Sequence, residues 1–551
     1  MISKSSLTQI GIAFSSLLIP ILYFIYIGRY GWSDTDDGFI LGYSWRLING
    51  ELPYKDFVYV RPPLSPMLHA IWFYILPQEY VYAFSRYVVI LQIWIYSLVV
   101  GWVICLKLFN SKGIYKYWFV ISICGFLLSV SSFTPMPWHT VDGIFFATLG
   151  VWVLITFRGY FAAFIAGLLI FLSCMTKQSF YPLSLFAVVY LISNKQFKRA
   201  AILFVAEMAS CIFFWIIARH YGVDTEFFAQ TTGVSSINDA VVAGFWQYIA
   251  VGGKFFIMVY LLHSVIKIYY ERSQTLQPKN LIIFVFLICA VLSVLARIFF
   301  TKSWINYGSL GFSHVLFLFG VLYLAKNIFT KNDISSELGF ALFLTISWCA
   351  SISWGFSSPI LFSVPLILGG YCYAKDFIVF SENDNKVIIC GIAISTIFIM
   401  ISSSLFPYRD TQARFSSNCD LSFIEKKLSF IVTAKDNCEK ISEAKSISKS
   451  LSDSFVFLPA FTMAYFISNK PNPIQLDWPM QIEMGKKNLD ISYRLKNFVR
   501  YAIVDKKEGI EFDIDGNFGV PFVRVVKLDW IKIYSGQYYD LYENPGFHDS
   551  V

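Results

Sequence analysis

Three carboxylates within four residues open the first polar stretch of the chain, Ser33-Asp34-Thr35-Asp36-Asp37. They directly follow a long apolar run, so they lie at a membrane surface, where an acid is costly to desolvate. Two neighbouring acids in a partly desolvated pocket raise each other's pKa, which suits a general base for a hydroxyl proton. We predict that Asp36 is this base and that Asp37 tunes it or orients an acceptor. The alternative is a solvated loop start in which Asp34 or Thr35 caps the next helix, and we favour that alternative for Asp34.

A second acid, Asp142, ends the stretch Trp138-His139-Thr140-Val141-Asp142 at the start of another apolar run. An acid in this position can simply cap a helix and interact with its dipole. An ionisable residue at a membrane span is nevertheless a functional candidate by default. If the apolar runs cross the membrane alternately, Asp142 lies on the same side as Asp36 and would orient the acceptor or tune the base.

Basic side chains are expected on that same side of the membrane. They are Arg61, Arg86, Lys177, Arg297 and Lys302. Each alone could be a long side chain that reaches the interface without a further role. Together with the acids, they describe a site that binds an anion and deprotonates a neutral group, and a lipid phosphate is the natural anion at this depth. We predict that Arg61 and Lys177 hold the phosphate, with Arg86 and Lys302 behind them.

Other kinds of site are not indicated by the sequence. The histidines His69, His139, His220 and His314 lack the spacing of metal ligands. The chain has no Walker loop and no glycine-rich dinucleotide turn. No cofactor is therefore predicted, a divalent metal is possible but not indicated, and the net charge of +8 is not taken as a sign of nucleic-acid binding.

The composition places these residues in a membrane protein. Hydrophobic residues make up 56% of the 551 residues and charged residues only 15%, whereas a soluble domain is about a quarter charged. Residues 8–28 carry no charge, and roughly 20 apolar residues span the bilayer core. The run is longer than the ~7–15 residues of a signal-peptide core and has no cleavage site after it, so we interpret it as a retained first helix.

The hydropathy pattern predicts about thirteen membrane spans. They are residues 8–28, 88–106, 118–133, 142–157, 160–175, 180–194, 200–218, 247–266, 281–299, 308–325, 337–354, 359–374 and 387–405. With the N-terminus inside, most connecting Lys and Arg residues fall on the inner side, as the positive-inside rule requires. This topology places the long first loop, residues 29–81, and the tail, residues 407–551, on the outer side.

The tail differs in composition from the rest of the chain. Polar and charged residues dominate after Pro407-Tyr408-Arg409-Asp410. Short β-branched or aromatic segments predict strands, and a longer segment predicts a helix; the strands are 454–458, 498–504, 522–528 and 538–543, and the helix is 440–451. We therefore expect a membrane module over 1–406 and a small α/β domain over 407–551. In the first loop, 38–47 and 66–75 are expected to form amphipathic helices in the membrane interface.

Eight of the ten cysteines lie in apolar runs, where a thiol behaves as a small hydrophobe. The other two, Cys419 and Cys438, lie in the tail. A disulfide between them is permitted in an oxidising compartment. Two unpaired thiols remain equally open, since spacing alone does not establish a bridge.

Several ordered motifs resemble those of a known enzyme family. Asp36-Asp37 after the first helix, the stretch 48–57 that contains Tyr54, and Arg61-Pro62-Pro63-Leu64 resemble the first outer loop of the GT-C glycosyltransferases. The nearer resemblance is to the branch that holds protein O-mannosyltransferases and the lipid A aminoarabinose transferase. Asp36 matches the first acid of that branch's Asp-Glu pair, and Arg61-Pro62-Pro63 its Lys-Pro-Pro-like element.

The resemblance continues in order as far as residue 178. Arg86 matches an arginine early in the second span, Asp142 an acid that opens the fourth, and Thr176-Lys177 a Thr-Lys pair after the fifth. The chain departs from the family at Asp37, where the family has Glu, and at Gly38-Phe39, where the family has polar or basic residues that can touch the donor phosphate.

The resemblance implies an all-α GT-C bundle in a bacterial inner membrane, with its active site and the tail domain in the periplasm. The implied reaction moves one sugar from a polyprenyl phosphate, such as undecaprenyl phosphate, to a hydroxyl of a glycan or glycolipid acceptor, with inversion. Lipopolysaccharide or O-antigen decoration is the leading process. Further candidates for contact with the acceptor are His139, Gln178 and Tyr54.

Two alternatives stay open. An O-antigen polymerase or ligase shares the bundle and the lipid substrates, but is expected to use a large loop between late helices. A transporter or flippase of lipid-linked sugars should show charges at mid-membrane depth or broken helices in paired halves, and the spans show neither clearly.

Overall fold

The structure is a computed structural model that describes most of the chain. The described residues are 4–109, 114–131, 135–232, 246, 248–253, 307–331, 333–352, 359–377, 385–408, 410, 412–484, 488–515 and 519–547. Several predictions lie outside them: the span at 281–299, nearly all of the span at 247–266, and the cations Arg297 and Lys302.

Apolar helices make up most of the first 404 residues. In chain order they are α1 (Lys4–Tyr23), α2 (Phe39–Ile48), α3 (Leu64–Ile75), α4 (Gln78–Trp102), α5 (Trp118–Ser131), α6 (His139–Thr156), α7 (Tyr160–Cys174), α8 (Tyr181–Ser193), α9 (Phe197–His220), α10 (Asp224–Thr231), α11 (Tyr307–Thr330), α12 (Ser335–Ile352), α13 (Ser363–Phe377) and α14 (Asn385–Ser404). Each predicted span within the described residues falls on one of these helices.

Length and composition identify membrane-crossing helices within the described residues. Six helices are long and apolar enough to cross a bilayer, and further apolar helices are shorter. The chain is therefore a mostly helical, multi-pass membrane protein. Small residues allow its helices to approach closely: a Cβ added to Gly369 of α13 would lie 2.8 Å from the Cα of Gly320 in α11.

One acid lies near the middle of a membrane helix. Glu207 of α9 is 8% exposed, and its carboxyl pairs with the side chain of Ser184 on α8. The sequence analysis did not single out this acid. An ionisable residue inside a membrane helix is a functional candidate, so transport of a lipid-linked sugar stays an alternative.

The tail combines two small sheets with short helices. Its elements are β1 (Cys419–Asp420), β2 (Val432–Thr433), α15 (Lys435–Ser450), β3 (Phe455–Leu458), α16 (Ala464–Ser468), α17 (Gln481–Met484), α18 (Asn488–Phe498), β4 (Tyr501–Asp505), α19 (Glu508–Glu511), α20 (Pro521–Asp529), β5 (Ile531–Ser535) and β6 (Tyr539–Glu543). The larger sheet has the order β3-β4-β6-β5. β3 and β4 run parallel, and the other neighbouring strands are antiparallel. A disulfide joins Cys419 to Cys438.

One predicted strand of the tail is wrong. Residues 522–528 form part of helix α20, and the strand β5 that follows was not predicted. Pro521 occupies the first turn, where its missing N–H costs nothing. The buried residues Phe522, Val523 and Val526 then fall on one face of a helix. The β-branched composition predicted a strand, but the spacing of these buried residues places them all on one face only in a helix.

The first loop lies between the membrane helices and the tail. Helix α2 was expected to lie in the membrane interface, but its residues Phe39–Arg46 are all buried, so that expectation is wrong. A Cβ on Gly38 would lie 2.7 Å from the backbone N of Met463, and Arg46 binds Asp477 with two N–H groups, at 3.0 and 2.8 Å. The tail therefore covers α2, leaving no face for lipid.

Helix α3 has the character predicted for 66–75. It buries His69 and Ala70, while Met67, Ile71, Tyr74 and Ile75 are 44–76% exposed. An apolar outer face on a short helix suits the boundary between lipid and water, and this placement stays a prediction. The end of the bundle at which residues 29–81 lie is called the loop end below.

Candidate active site

Asp36 lies in the turn that connects α1 to α2, and it is 3% exposed. Its backbone N–H donates to the Ser33 hydroxyl at 3.2 Å. Its Oδ2 accepts a hydrogen bond of 2.6 Å from the hydroxyl of Tyr408, just after the last membrane helix. Sequence reasoning missed Tyr408. Its only sequence signal is its place at the change in composition after Pro407.

Asp37 forms a buried ion pair with Arg86. The Arg86 Nη2 lies 2.7 Å from Oδ1 of Asp37, and both side chains are at most 1% exposed. The second oxygen of Asp37 accepts from the Ser33 backbone N–H at 2.7 Å. Arg86 also donates to the carbonyls of Gly28 and Gly31. The pair therefore ties the turn that carries Asp36 to helix α4, and the phosphate-binding role assigned to Arg86 stays a prediction.

Asp34 is not a solvated acid at a loop start. It is 6% exposed, and its Oδ2 lies 2.5 Å from the ammonium of Lys440 in α15. Helix α2 begins at Phe39 without a side-chain cap, so neither Asp34 nor Thr35 caps it. The expectation was wrong because the tail supplies a cation that makes burial of the carboxylate possible.

Asp34 also belongs to the one group of acids with metal-like spacing in the described ranges, together with Asp505 and Glu508. The Lys440 ammonium lies 2.5 Å from the Asp505 carboxylate as well. The neighbouring acids raise the pKa of Lys440 against the lowering effect of its burial. A protonated lysine thus already supplies positive charge among these acids.

Arg61 follows the buried residues 57–60 and is held by an acid from the tail. Its Nη1 and Nη2 donate to the two carboxylate oxygens of Glu483 at 2.6 and 2.5 Å. Its guanidinium carbon lies 5.1 Å from the centre of the Phe39 ring, a cation–π arrangement. Burial alone would lower the pKa of Arg61, but Glu483 raises it, so the guanidinium is charged.

Two predicted acceptor residues support the backbone beside Arg61. The hydroxyl of Tyr54 donates to the carbonyl of Arg61 at 2.7 Å. The amide of Gln178 donates to the carbonyl of Val60 at 2.7 Å and to that of Thr231 at 3.1 Å. These bonds fix the direction in which the Arg61 side chain leaves the backbone. Contact of Tyr54 or Gln178 with an acceptor stays a prediction.

Lys177 lies between α7 and α8 in the same neighbourhood. In the part of the chain that the structure describes, its ammonium has no hydrogen-bond or ion-pair partner. Burial and the nearby charge of Arg61 lower the pKa of Lys177 well below its usual range, while Glu483 raises it. The site therefore has a second basic group close to Arg61 that no carboxylate of these residues neutralises.

His139 begins helix α6 and is 1% exposed. Its ring lies 4.8 Å from that of Trp138 and 6.3 Å from that of Phe39. Both imidazole nitrogens are buried without a hydrogen-bond partner among the described residues, and Lys177 and Arg61 are within electrostatic range. Buried polar atoms normally have partners, so this imidazole is suited to meet a polar group of a bound molecule.

Asp142 lies one turn into α6 and is fully buried. Its Oδ1 accepts from the amide of Gln92 at 2.8 Å, and its Oδ2 lies 3.5 Å from Nε2 of His69. It does not cap the helix, whose N-cap is Trp138. Gln92 and His69 were not predicted, because they lie on α4 and α3, far from Asp142 in the sequence.

Phe39 contacts side chains from several parts of the site. It begins α2 three residues after Asp36, contacts Arg61 through its face, and packs against the rings of Trp138 and His139. Tyr59 is within electrostatic range of Arg61, Glu483 and Asp142. The structure therefore brings Arg61, Lys177, His139 and Asp142 together at the loop end, and Phe39 links them to the turn of Asp36. Arg86 and Asp37 are paired with each other, and Lys302 is outside the described residues.

Replacing Tyr408 by Phe should slow the reaction of this site and move its pH profile. A carboxylate that loses a hydrogen bond protonates more readily, so activity should begin to rise at a higher pH than in the wild type. The rate as a function of pH measures the effect. Tyr96→Phe is the control, because it removes another buried hydroxyl, bonded to the Leu361 carbonyl, and should not move the profile. An unshifted Tyr408→Phe profile would contradict the role.

The lowered pKa of Lys177 predicts that binding of a lipid phosphate takes up a proton. A phosphate favours the charged form of Lys177, so affinity should fall as the pH rises. Above about pH 7 the phosphate itself no longer titrates, because its second pKa is about 6. Titration with undecaprenyl phosphate over this range measures the slope. Lys177→Met should bind more weakly and lose the slope, whereas an equal slope in both proteins would contradict the prediction.

Comparisons with known proteins gave matches among solved structures only. No protein-family model matches the chain, and no curated protein matches it. The chain is similar to ArnT from Cupriavidus metallidurans in the apo state, with a TM-score of 0.47, 10% identity and 99% of each chain covered. It is also similar to ArnT from the same organism bound to undecaprenyl phosphate, with a TM-score of 0.42, 9% identity, and coverage of 97% of this chain and 98% of that one.

The archaeal oligosaccharyltransferase AglB from Archaeoglobus fulgidus, in complex with an inhibitory peptide and a dolichol-phosphate, is similar at a TM-score of 0.44 and 12% identity. The match covers 96% of this chain and 74% of that one. ArnT, a lipid A aminoarabinose transferase, and AglB are both glycosyltransferases of the GT-C fold, the class that residues 34–178 resemble.

Proposed function

We propose that the chain is a membrane glycosyltransferase that moves one sugar from a polyprenyl phosphate to a hydroxyl of an acceptor. The observation that carries the proposal is that Arg61 and the unpartnered His139 pack against Phe39, three residues after Asp36, with Lys177 within electrostatic range of both. Two basic groups suit a phosphate, and a buried carboxylate beside them suits removal of a hydroxyl proton.

In the proposed reaction each of these groups has one role. Asp36 takes the proton of the acceptor hydroxyl as its oxygen attacks the anomeric carbon of the sugar. The bond between that carbon and the phosphate oxygen breaks, and the phosphate leaves with the electron pair. Arg61 and Lys177 stabilise the charge that grows on the phosphate, so no general acid is needed. Attack from the side opposite to the leaving group inverts the anomeric configuration.

The remaining predicted residues have supporting roles. Asp142, held by Gln92 and facing His69, would orient the acceptor, as would His139. Tyr54 and Gln178 hold the backbone of residues 60–61, so we assign them to positioning Arg61 as well as to the acceptor site. Asp37 and Arg86 hold the turn of Asp36 in place. Lys302 remains a candidate ligand of the donor phosphate.

The proposed setting is the inner membrane of a bacterium, with the loop end facing the periplasm. Undecaprenyl phosphate would carry the sugar, and the acceptor would be lipopolysaccharide, O-antigen or another surface glycan. Two chemical arguments support this setting. A lipid-linked donor reaches a site at the membrane surface without a nucleotide, and an acceptor glycan is exposed on that side. No metal is assigned a step in this reaction.

Mass spectrometry of surface glycans from cells with and without the protein tests the proposal. We expect a glycan whose mass increases by one sugar residue only when the protein is present, and this mass identifies the class of sugar. The same cells carrying Asp36→Asn protein are the control. Identical glycan masses in all three strains would contradict the proposed function.

A further inference from the structure

Glu483 is bound to Arg61, the cation that the proposed reaction needs for the donor phosphate. Both carboxylate oxygens of Glu483 accept from the guanidinium of Arg61, at 2.5 and 2.6 Å. The Glu483 side chain is 6% exposed and that of Arg61 18% exposed. A guanidinium binds a carboxylate and a phosphate through the same pair of parallel N–H groups, so these two N–H groups cannot serve both anions at once.

The net charge around Arg61 favours the binding of a further anion. Arg61 lies close enough to Lys177 that its charge adds to the effect of burial in lowering the pKa of the lysine. Glu483 is the carboxylate that pairs with Arg61. When Lys177 is charged, these three side chains together have a charge of one positive unit. A buried cation without a counter-ion is costly. Glu483 therefore makes the basic site stable while it is empty, and a bound phosphate would make Glu483 unnecessary.

Other contacts hold the segment that precedes Glu483. The Asp477 carboxylate binds Arg46 and also accepts from the amide of Asn472 at 2.7 Å. The carbonyl of Gln475 accepts from the backbone N–H of Val58 at 2.8 Å. Residues 472–477 are thus fixed to the first loop independently of Arg61. Glu483, six residues further on, can leave Arg61 without separating the tail from the loop.

We propose that Glu483 is an internal counter-ion that competes with the donor phosphate for Arg61. This inference rests on the proposed function, in which Arg61 and Lys177 bind that phosphate. In the empty site Glu483 pairs with Arg61. The donor displaces it, and the phosphate then contacts Arg61 and Lys177. After transfer, Glu483 takes Arg61 back and thereby speeds release of the polyprenyl phosphate.

Equilibrium binding of undecaprenyl phosphate to the purified full-length protein in detergent tests this inference. Glu483→Gln should bind the probe about 10-fold more tightly than the wild type, because a neutral amide competes poorly for a guanidinium. Glu51→Gln is the matched control: it removes a carboxylate from Arg46, which keeps its bond to Asp477, and its affinity should equal that of the wild type. A thermal unfolding curve for each variant establishes that it is folded.

Arg61→Gln and the double variant Arg61→Gln/Glu483→Gln separate this inference from the proposed function. If both hold, Arg61→Gln weakens binding at least 10-fold, and adding Glu483→Gln to it gives no further gain. Unchanged or weaker binding by Glu483→Gln, together with weak binding by Arg61→Gln, would overturn competition and show that Glu483 only positions Arg61. Wild-type affinity in Arg61→Gln would remove Arg61 from the phosphate site and with it the inference.

Discussion

Asp36→Asn protein should fold normally and transfer sugar about 10³-fold more slowly than the wild type, since a positioned general base contributes on the order of 10²–10⁴ to a rate. Asparagine has nearly the same shape and keeps an oxygen that can accept from Tyr408, whose hydroxyl lies 2.6 Å from Asp36. It cannot take a proton from the acceptor hydroxyl. The measurement is the initial rate of transfer of a labelled sugar from the lipid donor, in membranes with matched protein content.

Asp56→Asn is the control for this loss. Asp56 lies in the same loop and accepts from the backbone N–H of Leu52 at 2.8 Å, a bond that asparagine can keep. Its transfer rate should stay within about twofold of the wild type, because the change touches neither base nor phosphate site. Undiminished transfer by Asp36→Asn would remove Asp36 from the mechanism.

Arg86→Ala should destabilise the protein more than it weakens phosphate binding. Removing one partner of a buried ion pair costs about 3–5 kcal/mol, because the other charge stays buried and unpaired. The Asp37 side chain, which is 1% exposed, would lose the Arg86 guanidinium as its partner. The carbonyls of Gly28 and Gly31 would each lose a hydrogen-bond donor. Denaturant unfolding in detergent, followed by tryptophan fluorescence, measures the loss.

Two further variants serve as controls for the stability loss of Arg86→Ala. Asp37→Asn combined with Arg86→Ala should recover part of the stability, since the unpaired charge is gone. Arg524→Ala breaks an exposed pair with Asp513 and should cost at most about 1 kcal/mol. If Arg86→Ala unfolds like the wild type but no longer binds undecaprenyl phosphate, Arg86 is a phosphate ligand, as the sequence predicted, and its structural role is secondary.

The sequence was sufficient for the features that depend on local pattern. Charge-free runs of about 20 residues predict membrane helices because the bilayer fixes their length. The acids of residues 34–37 and the Arg61-Pro62-Pro63 element are recognisable because they are contiguous and follow a span. Strands β3, β4 and β6 were predicted from composition, but the segment 522–528 failed because helical and strand patterns overlap in short apolar stretches.

The partners within the site could not be predicted, because they come from distant parts of the chain. Glu483 lies 422 residues after Arg61, and Tyr408 lies 372 residues after Asp36. No local pattern links such residues, and their polar side chains are ordinary in a charged tail. The burial of Asp34 had the same cause, because Lys440, which neutralises it, belongs to the tail.

The most direct test of the central claim is transfer by the purified protein in liposomes. A set of undecaprenyl-phosphate sugars, each labelled in the sugar, is offered together with surface glycan extracted from cells that lack the protein. We predict that one donor loses its label to the glycan, that the new linkage has the inverted anomeric configuration, and that Asp36→Asn protein transfers the label about 10³-fold more slowly. Movement of the labelled lipid between leaflets without any transfer to glycan would contradict the account and favour a transporter.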